Sequence, residues 1–281
     1  MAETTLVAPA RATHRRWTVP ASAVILTIIV LTCVLGPVLS PFGANQLDNA
    51  DPFAAPTLVH WLGTDEVGRD TFTRLMYGGQ LSLTVAIGSV VLAFVVGTIW
   101  GMVAATRGGF VDELLMRLAD ISMAIPQILF ALLCVAGFGA SLFSLIIITG
   151  FLLSPTTARM ARASVLLEIQ LDYYAAGIAY GAGRIRLMLT EVLPNVAPGI
   201  AAQAVINAAS AMILEASLSF VGLGVQPPAI SWGGLLQQGY GLIYSNPLYA
   251  VAPAIAILVT VLCLNLLADR TGGRSLSGGA R

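Results

Sequence analysis

The sequence predicts an all-helical membrane protein with six transmembrane helices, and three observations lead to this fold class. Hydrophobic residues make up 57% of the 281 residues and charged residues only 10%, whereas a soluble domain carries roughly 25% charged residues. Five stretches without charged residues are long enough to cross the ~30 Å hydrocarbon layer as helices. The arginines are concentrated in those segments that six crossings place on one side of the membrane.

The first half of the chain contains the first two predicted spans. The first covers residues 21–39 and follows a basic segment with Arg11, Arg15 and Arg16. A signal peptide is the alternative interpretation, but the apolar stretch is longer than a typical signal-peptide core and lacks a convincing cleavage site, which favours a retained helix. The second span covers residues 81–105.

Four more spans follow. The uncharged run from Ile121 to Ala158 is too long for one helix, and the cluster Gly137–Ser141 divides it into spans near 115–135 and 142–164. The transmembrane domain is completed by spans near 199–221 and 249–267; it covers residues 21–270, with a long polar loop at 165–195 and tails at 1–20 and 271–281.

The placement of the arginines predicts the orientation. With the N-terminus inside, only Arg69 and Arg74 lie outside, while twelve of the 14 basic residues lie inside. The twelve are Arg11, Arg15, Arg16, Arg107, Arg117, Arg159, Arg162, Arg184, Arg186, Arg270, Arg274 and Arg281. Such an excess predicts that both tails and the 165–195 loop are cytoplasmic.

Because the 14 basic and 14 acidic residues cancel, the net charge suggests no nucleic-acid partner.

The absence of lysine bears on ATP chemistry. All 14 basic residues are arginines, so the chain has no P-loop of the G-x-x-x-x-G-K-[ST] type, whose lysine reaches the nucleotide phosphates. If transport uses ATP, another chain must hydrolyse it. We expect no catalytic residue, cofactor or metal site on this chain.

The 165–195 loop is too polar to be embedded in lipid. Residues 172–183 predict a short helix followed by a glycine-rich turn, with Asp172 suited to the N-terminal end of the helix dipole. Small residues on one face would let a partner surface approach closely. A second amphipathic piece, residues 184–189, is expected to end before Pro194. From periodicity alone, a helix lying on the inner leaflet remains the alternative.

The same loop resembles that of a known family. Gly181 is followed thirteen residues later by Pro194, which resembles the cytoplasmic EAA loop of binding-protein-dependent ABC permeases. In that family the loop forms a coupling helix that sits in a cleft of the ATPase subunit. This chain departs from the motif, because its triplet is Ala175-Ala176-Gly177 and Glu191 takes the usual isoleucine position. The resemblance implies ATPase-docking roles for Asp172, Ala175, Ala176, Gly177, Gly181, Arg184, Arg186 and Pro194.

Three further matches make the resemblance specific to the dipeptide and oligopeptide permeases, and closest to their C-type branch. They are His60–Asp70 continuing to Arg74–Gly79, then Met116-Arg117-x-x-Asp120 with Pro126, and finally Glu215–Pro228 followed by Ser231-Trp232-Gly233. The implied fold is that of a type I ABC importer permease, the MetI-like fold.

The resemblance also implies an assembly in a bacterial plasma (inner) membrane. The chain would form the translocation pathway with a homologous second permease. Two ATPase subunits, which carry ATP and Mg, would dock below it, and an extracytoplasmic substrate-binding protein would deliver the cargo. Within this family the cargo is di- or oligopeptides, although relatives carry nickel or other small solutes.

A loop on the predicted outer side of the membrane contains several charged residues, and Gly63, Asp65, Gly68, Arg69 and Asp70 in it are here called the external motif. Gly63 and Gly68 are expected to supply tight turns, while Asp65, Arg69 and Asp70 pair and satisfy local backbone groups. Without a second histidine nearby, a metal or hydrolase site is disfavoured. A role in receiving the binding protein is the alternative.

Two carboxylates lie at or within span boundaries, where a charge needs a partner. Asp120 is expected to form a structural ion pair with Arg117, one turn earlier. Glu215 has no basic neighbour in sequence, so the bundle interior, the translocation pathway and the partner permease stay open as its surroundings. The rival function is an ion-coupled secondary transporter in which Glu215 or Asp120 binds protons. An intramembrane enzyme is disfavoured because His14 and His60 both lie outside the spans.

Overall fold

The computed structural model describes residues 18–47, 51–244 and 246–275, and the regular elements within these ranges are helices. The predicted tails lie largely outside the described residues, as do His14 and the side chains of Arg11, Arg15, Arg16, Arg270, Arg274 and Arg281. The helices are α1 (Thr18–Leu39), α2 (Thr71–Arg107), α3 (Gly109–Ala124), α4 (Gln127–Phe138), α5 (Leu142–Glu168), α6 (Asp172–Ala179), α7 (Arg184–Leu187), a π-helical turn (Met188–Val192), α8 (Leu193–Phe220), α9 (Trp232–Tyr240) and α10 (Pro247–Ser275).

Four of the described helices are long and apolar enough to cross a membrane. They are α2, α5, the continuous helix Arg184–Phe220, and the Pro247–Asp269 part of α10. The α3–α4 pair would be a fifth if counted as one bent span, and α1 contributes a shorter apolar stretch, Pro20–Gly36. The all-helical membrane fold predicted from composition is therefore confirmed.

Side chains at the helix N-termini explain where several helices begin. Asp70 caps α2 by accepting a 2.7 Å hydrogen bond from the Thr73 backbone N–H. At α5, the Ser141 and Ser144 side chains accept from each other's backbone N–H in a reciprocal capping box. Ser231 caps α9 through a single bond, in which its hydroxyl oxygen accepts from the Gly234 N–H at 3.1 Å. Each cap satisfies an N–H that has no partner within its helix.

The predicted span near 115–135 is not one straight helix. The chain bends by 90° between α3 and α4. Ile125 is extended, with φ −81° and ψ 131°, and Pro126 follows it. Proline disfavours the helical conformation in the preceding residue, which accounts for the break. The predicted break at Gly137–Ser141 does separate two helices, since α4 ends at Phe138 and α5 begins at Leu142.

Pro194 does not end the second amphipathic piece of the polar loop, contrary to the prediction. The helix that begins at Arg184 runs without interruption to Phe220. A π-helical turn, in which the Leu193 N–H donates to the Met188 carbonyl, lies just before the proline. Proline near the start of α8 has no N–H to place in the regular pattern, and the widened turn accommodates it. Together with α5, which extends to Glu168, this helix leaves only residues 169–183 outside the long helices.

The bundle is held together most extensively by the packing of α2 against α5. At Gly97 an added Cβ would lie 2.6 Å from the Ser154 carbonyl oxygen, and at Gly101 it would lie 2.4 Å from the Ala158 carbonyl oxygen. Small residues therefore let the two backbones approach closely, as in many membrane helix pairs. Around this pair, α8, α9 and α10 complete an apolar interior in which Trp232 is buried.

Candidate functional site

The short helix α6 lies at one end of the bundle, between the end of α5 and the start of α7. No residue of α6 is fully buried. Tyr173, Tyr174 and Gly177 are half-buried, whereas the remaining α6 residues are exposed. Because a helix places residues three and four apart on one face, α6 has a face toward the bundle and an exposed face on which three of the five residues are alanines. The exposed face consists of Asp172, Ala175, Ala176, Ile178 and Ala179.

Glu168, the last residue of α5, connects α6 to two long helices. Its Oε1 accepts a 2.8 Å hydrogen bond from the Tyr173 hydroxyl and a 2.9 Å hydrogen bond from the Asn195 amide of α8. Burial raises the pKa of Tyr173, and the bond to Glu168 raises it further. The phenol therefore stays protonated well above neutral pH and can donate to the carboxylate. A movement of α6 is thereby linked to both α5 and α8.

Apolar contacts support the same linkage. Tyr174 packs against a buried cluster that includes Val165 of α5 and Val192 and Val196 of the α7–α8 helix. Gly177 faces the Leu187 side chain, whose Cδ2 would lie 2.7 Å from an added Cβ. The α6 helix therefore rests on the beginning of the long helix rather than standing free.

The glycine-rich turn after α6 forms as predicted. Gly181 has φ +84°, a left-handed conformation that glycine adopts at little cost. The Gly181 N–H donates to the Ile178 carbonyl and the Ala182 N–H to the Gly177 carbonyl, both at 3.0 Å. An added Cβ at Gly181 would meet nothing within 4 Å, so backbone conformation rather than space requires glycine here.

The structure separates the residues predicted for docking into two groups. Asp172, Ala175, Ala176, Gly181, Arg184, Arg186 and Pro194 are exposed. Gly177 instead faces Leu187, so it belongs to the packed side of α6. Sequence reasoning missed Glu168, Tyr173 and Asn195, which hold the helix in place. Their spacing has no single helical period, and only the fold brings them together.

The predicted ion pair between Arg117 and Asp120 is wrong. Arg117 pairs with Glu113, one turn earlier on the same exposed face of α3, at 2.6 Å. Asp120 instead pairs with Arg159 of α5. Asp120 faces the neighbouring helix, where a longer-range partner replaces the local one. A second bridge between α3 and α5 joins Asp112 to Arg162 at 2.5 Å.

At the opposite end of the bundle, the external motif forms a compact turn. Gly63 and Gly68 have φ of +74° and +80°. Asp65 is fully buried, and it accepts hydrogen bonds from the backbone N–H of Val67 and Arg69 at 3.0 and 2.9 Å. Its other oxygen lies 2.6 Å from the Arg69 Nε. The prediction that these residues supply turns and satisfy the local backbone is confirmed by this geometry.

Asp70 and Arg74 extend the motif into the bundle. Besides capping α2, Asp70 lies 3.0 Å from the His60 Nδ1. Arg74, for which the sequence predicted no partner, is 2% exposed and donates to the Gln238 Oε1 of α9 at 3.0 Å. It also lies 3.4 Å from Asp65. The external loop is thus joined to α9 by a buried arginine.

Glu215 lies inside the bundle of this chain. Its exposure is 0%, and its Oε1 accepts a 2.7 Å hydrogen bond from the Ser219 hydroxyl, one turn later on α8. Of the three surroundings left open by the sequence, the structure selects the bundle interior. Neither the translocation pathway nor a partner permease is needed to bury this carboxyl group.

A bundle of apolar helices with a small exposed helix anchored at one end and a polar loop packed over the other is the architecture of a multi-pass membrane protein. Residues 97–274 match the family model described as binding-protein-dependent transport system inner membrane component. The chain belongs to this family, and it is a permease subunit of an ABC importer.

Relatives and solved structures agree with this assignment. The di/tripeptide transport system permease protein of Pseudomonas aeruginosa is 34% identical over 250 residues, covering 87% of this chain and 82% of the relative. The dipeptide transport system permease protein of Alkalihalophilus pseudofirmus is 33% identical over 246 residues, covering 88% and 81%. The permease fold is also similar to a chain of the inward-facing MetNI methionine ABC transporter, with a TM-score of 0.57 and 22% identity over 71% of this chain and 95% of that chain. This likeness confirms the expected MetI-like fold.

Proposed function

We propose that this permease subunit imports di- or oligopeptides across a bacterial inner membrane, as one half of a pair with a homologous permease. The names of its relatives, a di/tripeptide and a dipeptide transport system permease protein, support a peptide cargo. An extracytoplasmic binding protein delivers the peptide, and two ATPase subunits, which hold ATP and Mg, drive the transport. The chain itself is not an enzyme.

The α6 end of the bundle is the cytoplasmic end in this proposal. Six described arginines belong to helices or helix ends there: Arg107, Arg117, Arg159, Arg162, Arg184 and Arg186. Of the arginines whose side chains the structure describes, Arg69 and Arg74 alone lie at the opposite end, in the segment from Gly63 to Arg74. Positively charged residues accumulate on the cytoplasmic side of membrane proteins. Both termini then lie in the cytoplasm, and the external motif faces the binding protein.

The observation that carries the coupling proposal is the exposed small-residue face of α6. Ala175, Ala176 and Ala179 have no side chain beyond Cβ, so a cleft of the ATPase subunit can approach the helix backbone closely. When the ATPase pair closes around ATP, it displaces α6. Glu168 then carries the displacement to α5 and α8, because it bonds to both Tyr173 and Asn195. The spans change between inward-facing and outward-facing arrangements, and hydrolysis resets them.

The test is to purify the chain from its native membrane in mild detergent and identify the proteins recovered with it. We expect a second permease and a P-loop ATPase in stoichiometric amounts. An Ala176→Arg variant should lose the ATPase, because a long charged side chain would hold the cleft away from α6. Ala55→Arg is the matched control, since Ala55 is exposed at the opposite end.

Two outcomes would contradict the proposal. Recovery of the ATPase with the Ala176→Arg variant at the level of the unaltered chain would show that α6 is not the docking helix. Recovery of the unaltered chain alone, with transport after reconstitution in the absence of ATP, would exclude an ATP-driven importer.

A further inference from the structure

A cavity of about 300 Å³ lies between the last turns of α2 and the segment formed by α7 and the π-helical turn that follows it. It is separate from the exposed face of α6. The residues that line it are two arginines, five apolar residues and Thr106, whose hydroxyl donates to the Met102 carbonyl of its own helix. Those used below are Met102, Val103, Arg107, Arg184, Met188 and Leu189.

The two arginines of this cavity have no acidic partner among the residues that the structure describes. Arg107 and Arg184 are both exposed. The other arginines that α3 and α5 contribute at this end, Arg117, Arg159 and Arg162, all form ion pairs with carboxylates. Two guanidinium groups on one cavity therefore remain available to an anion, and guanidinium binds phosphate through two parallel hydrogen bonds.

The apolar residues of the cavity indicate that an anion bound by the two arginines also has an apolar part. Val103 and Leu189 are exposed at 39% and 56%, although they belong to helices that cross the membrane. Apolar side chains exposed within the membrane face lipid tails, and arginines at the ends of a span lie at the level of the headgroups. A free phosphate ion would satisfy the arginines but leave the apolar wall uncovered.

We propose that this cavity binds one anionic phospholipid of the cytoplasmic leaflet. Arg107 and Arg184 hold the headgroup phosphate, and the upper part of an acyl chain lies against Val103 and Leu189. Because Arg107 ends α2 and Arg184 begins the long helix against which α6 packs, the lipid joins α2 to the helix that supports α6.

Photolabelling of the full chain tests this proposal without any readout of transport. The chain, purified with whatever partners accompany it, is placed in phosphatidylcholine nanodiscs with a trace of phosphatidylglycerol that carries a diazirine on its acyl chain. Labelled peptides are then identified by mass spectrometry. We expect labels on the peptides that contain residues 102–107 and 184–189.

The arginine variants give the quantitative prediction. Each basic residue near an anionic membrane surface contributes about 1 kcal/mol, so Arg107→Gln or Arg184→Gln should lower the labelling about fivefold and the double variant about 25-fold. Replacement of both arginines with lysine should restore the labelling only in part, since the charge is kept but the paired hydrogen bonds of the guanidinium groups are lost. Arg186→Gln is the control, because Arg186 is exposed on the same helix but does not line the cavity.

Three results would overturn the proposal. They are equal labelling by a phosphatidylcholine probe, equal loss of labelling with Arg186→Gln, and unchanged labelling in the double variant. If the double variant keeps its label but loses the ATPase, Arg107 and Arg184 contact the ATPase instead of lipid. The labelling itself is independent of cargo and ATP, so it can succeed even if the peptide-import proposal fails.

Discussion

At the scale of single residues, one carboxylate acceptor organises each end of the bundle, the buried Asp65 at one end and the half-buried Glu168 at the other. Asp65 organises the external turn by accepting two backbone N–H groups and the Arg69 side chain. At the other end, Glu168 connects three helices, because its side chain on α5 accepts one hydrogen bond from a side chain of α6 and one from a side chain of α8. A hydrogen bond to a charged group contributes about 1.5–3 kcal/mol, more than one between neutral groups.

The Tyr173 hydroxyl can be removed with little other change. Tyr173→Phe deletes the donor to Glu168 and keeps the ring, so α6 should open more often. A loss of about 1.5 kcal/mol corresponds to roughly a tenfold faster amide exchange in residues 172–183, if opening limits exchange. Hydrogen–deuterium exchange with mass spectrometry measures this directly.

The neighbouring tyrosine supplies the control. Tyr174 packs against the buried cluster at the start of α8, and no hydrogen bond of its hydroxyl is found among the described residues. Tyr174→Phe should therefore leave the exchange rate near that of the unaltered chain. Equal acceleration in both variants would contradict the role given to the Glu168 bond.

At the scale of helices, close packing and one bend shape the bundle. α2 and α5 meet at small residues, and two ion pairs, Asp112–Arg162 and Asp120–Arg159, hold α3 beside α5. The Arg117–Glu113 pair has side chains that are 71% and 60% exposed, and it lies within one helix. Pairs of this kind contribute about 0.3–0.5 kcal/mol, and a pair within one helix cannot fix where that helix lies, so the two bridges between helices are the ones that position α3.

The α2–α5 contact should be sensitive to one methyl group. Gly101→Ala would place a Cβ 2.4 Å from the Ala158 carbonyl oxygen and 2.7 Å from the Ala161 Cβ, so the helices must separate. Overpacking of this kind costs about 1–3 kcal/mol. We expect a lower midpoint of thermal unfolding in detergent, measured by the fluorescence of a thiol-reactive dye or of tryptophan.

Gly137→Ala provides the matched comparison for this experiment. Gly137 lies within α4, and an added Cβ would meet nothing within 4 Å. Because alanine favours helix by about 1 kcal/mol over glycine, this variant should be as stable as the unaltered chain or slightly more so. A Gly101→Ala variant that melts at the same temperature as Gly137→Ala would show that α2 and α5 tolerate separation.

At the scale of the whole molecule, Glu215 separates the two functions considered from the sequence. An ion-coupled transporter needs a carboxyl group that meets the translocation pathway, whereas Glu215 is sealed among α2, α8 and α9, where Ser219 bonds to it. Asp120, the other carboxylate considered, is exposed but paired with Arg159.

Replacement of Glu215 by glutamine should therefore preserve peptide uptake. The amide oxygen can still accept from Ser219, so the packing is kept while the ionisable group is lost. Uptake of a labelled peptide by cells should continue after an uncoupler collapses the proton gradient, provided that the ATP concentration is maintained. Loss of uptake in the Glu215→Gln variant, in a chain that remains folded and assembled, would favour the ion-coupled mechanism.

The sequence alone determined the features that depend on local chemistry. Hydropathy predicted the membrane helices, the break at Gly137–Ser141 and the polar loop, because each follows from whether a stretch can lie in lipid. Asp172, Gly181, Gly63 and Gly68 were placed correctly as a helix start and as turns, since an acidic residue in the first turn of a helix and a left-handed φ depend on a few adjacent residues.

Only the tertiary structure decided which distant groups meet. Asp120 pairs with Arg159 rather than Arg117, Glu215 is sealed inside the bundle, and Glu168 meets Asn195 across 27 residues of sequence. Partners of this kind depend on how the helices are packed and rotated, and no local pattern contains that information. The physical reason is that hydropathy determines whether a helix lies in the membrane, whereas the close packing of its side chains determines what it faces.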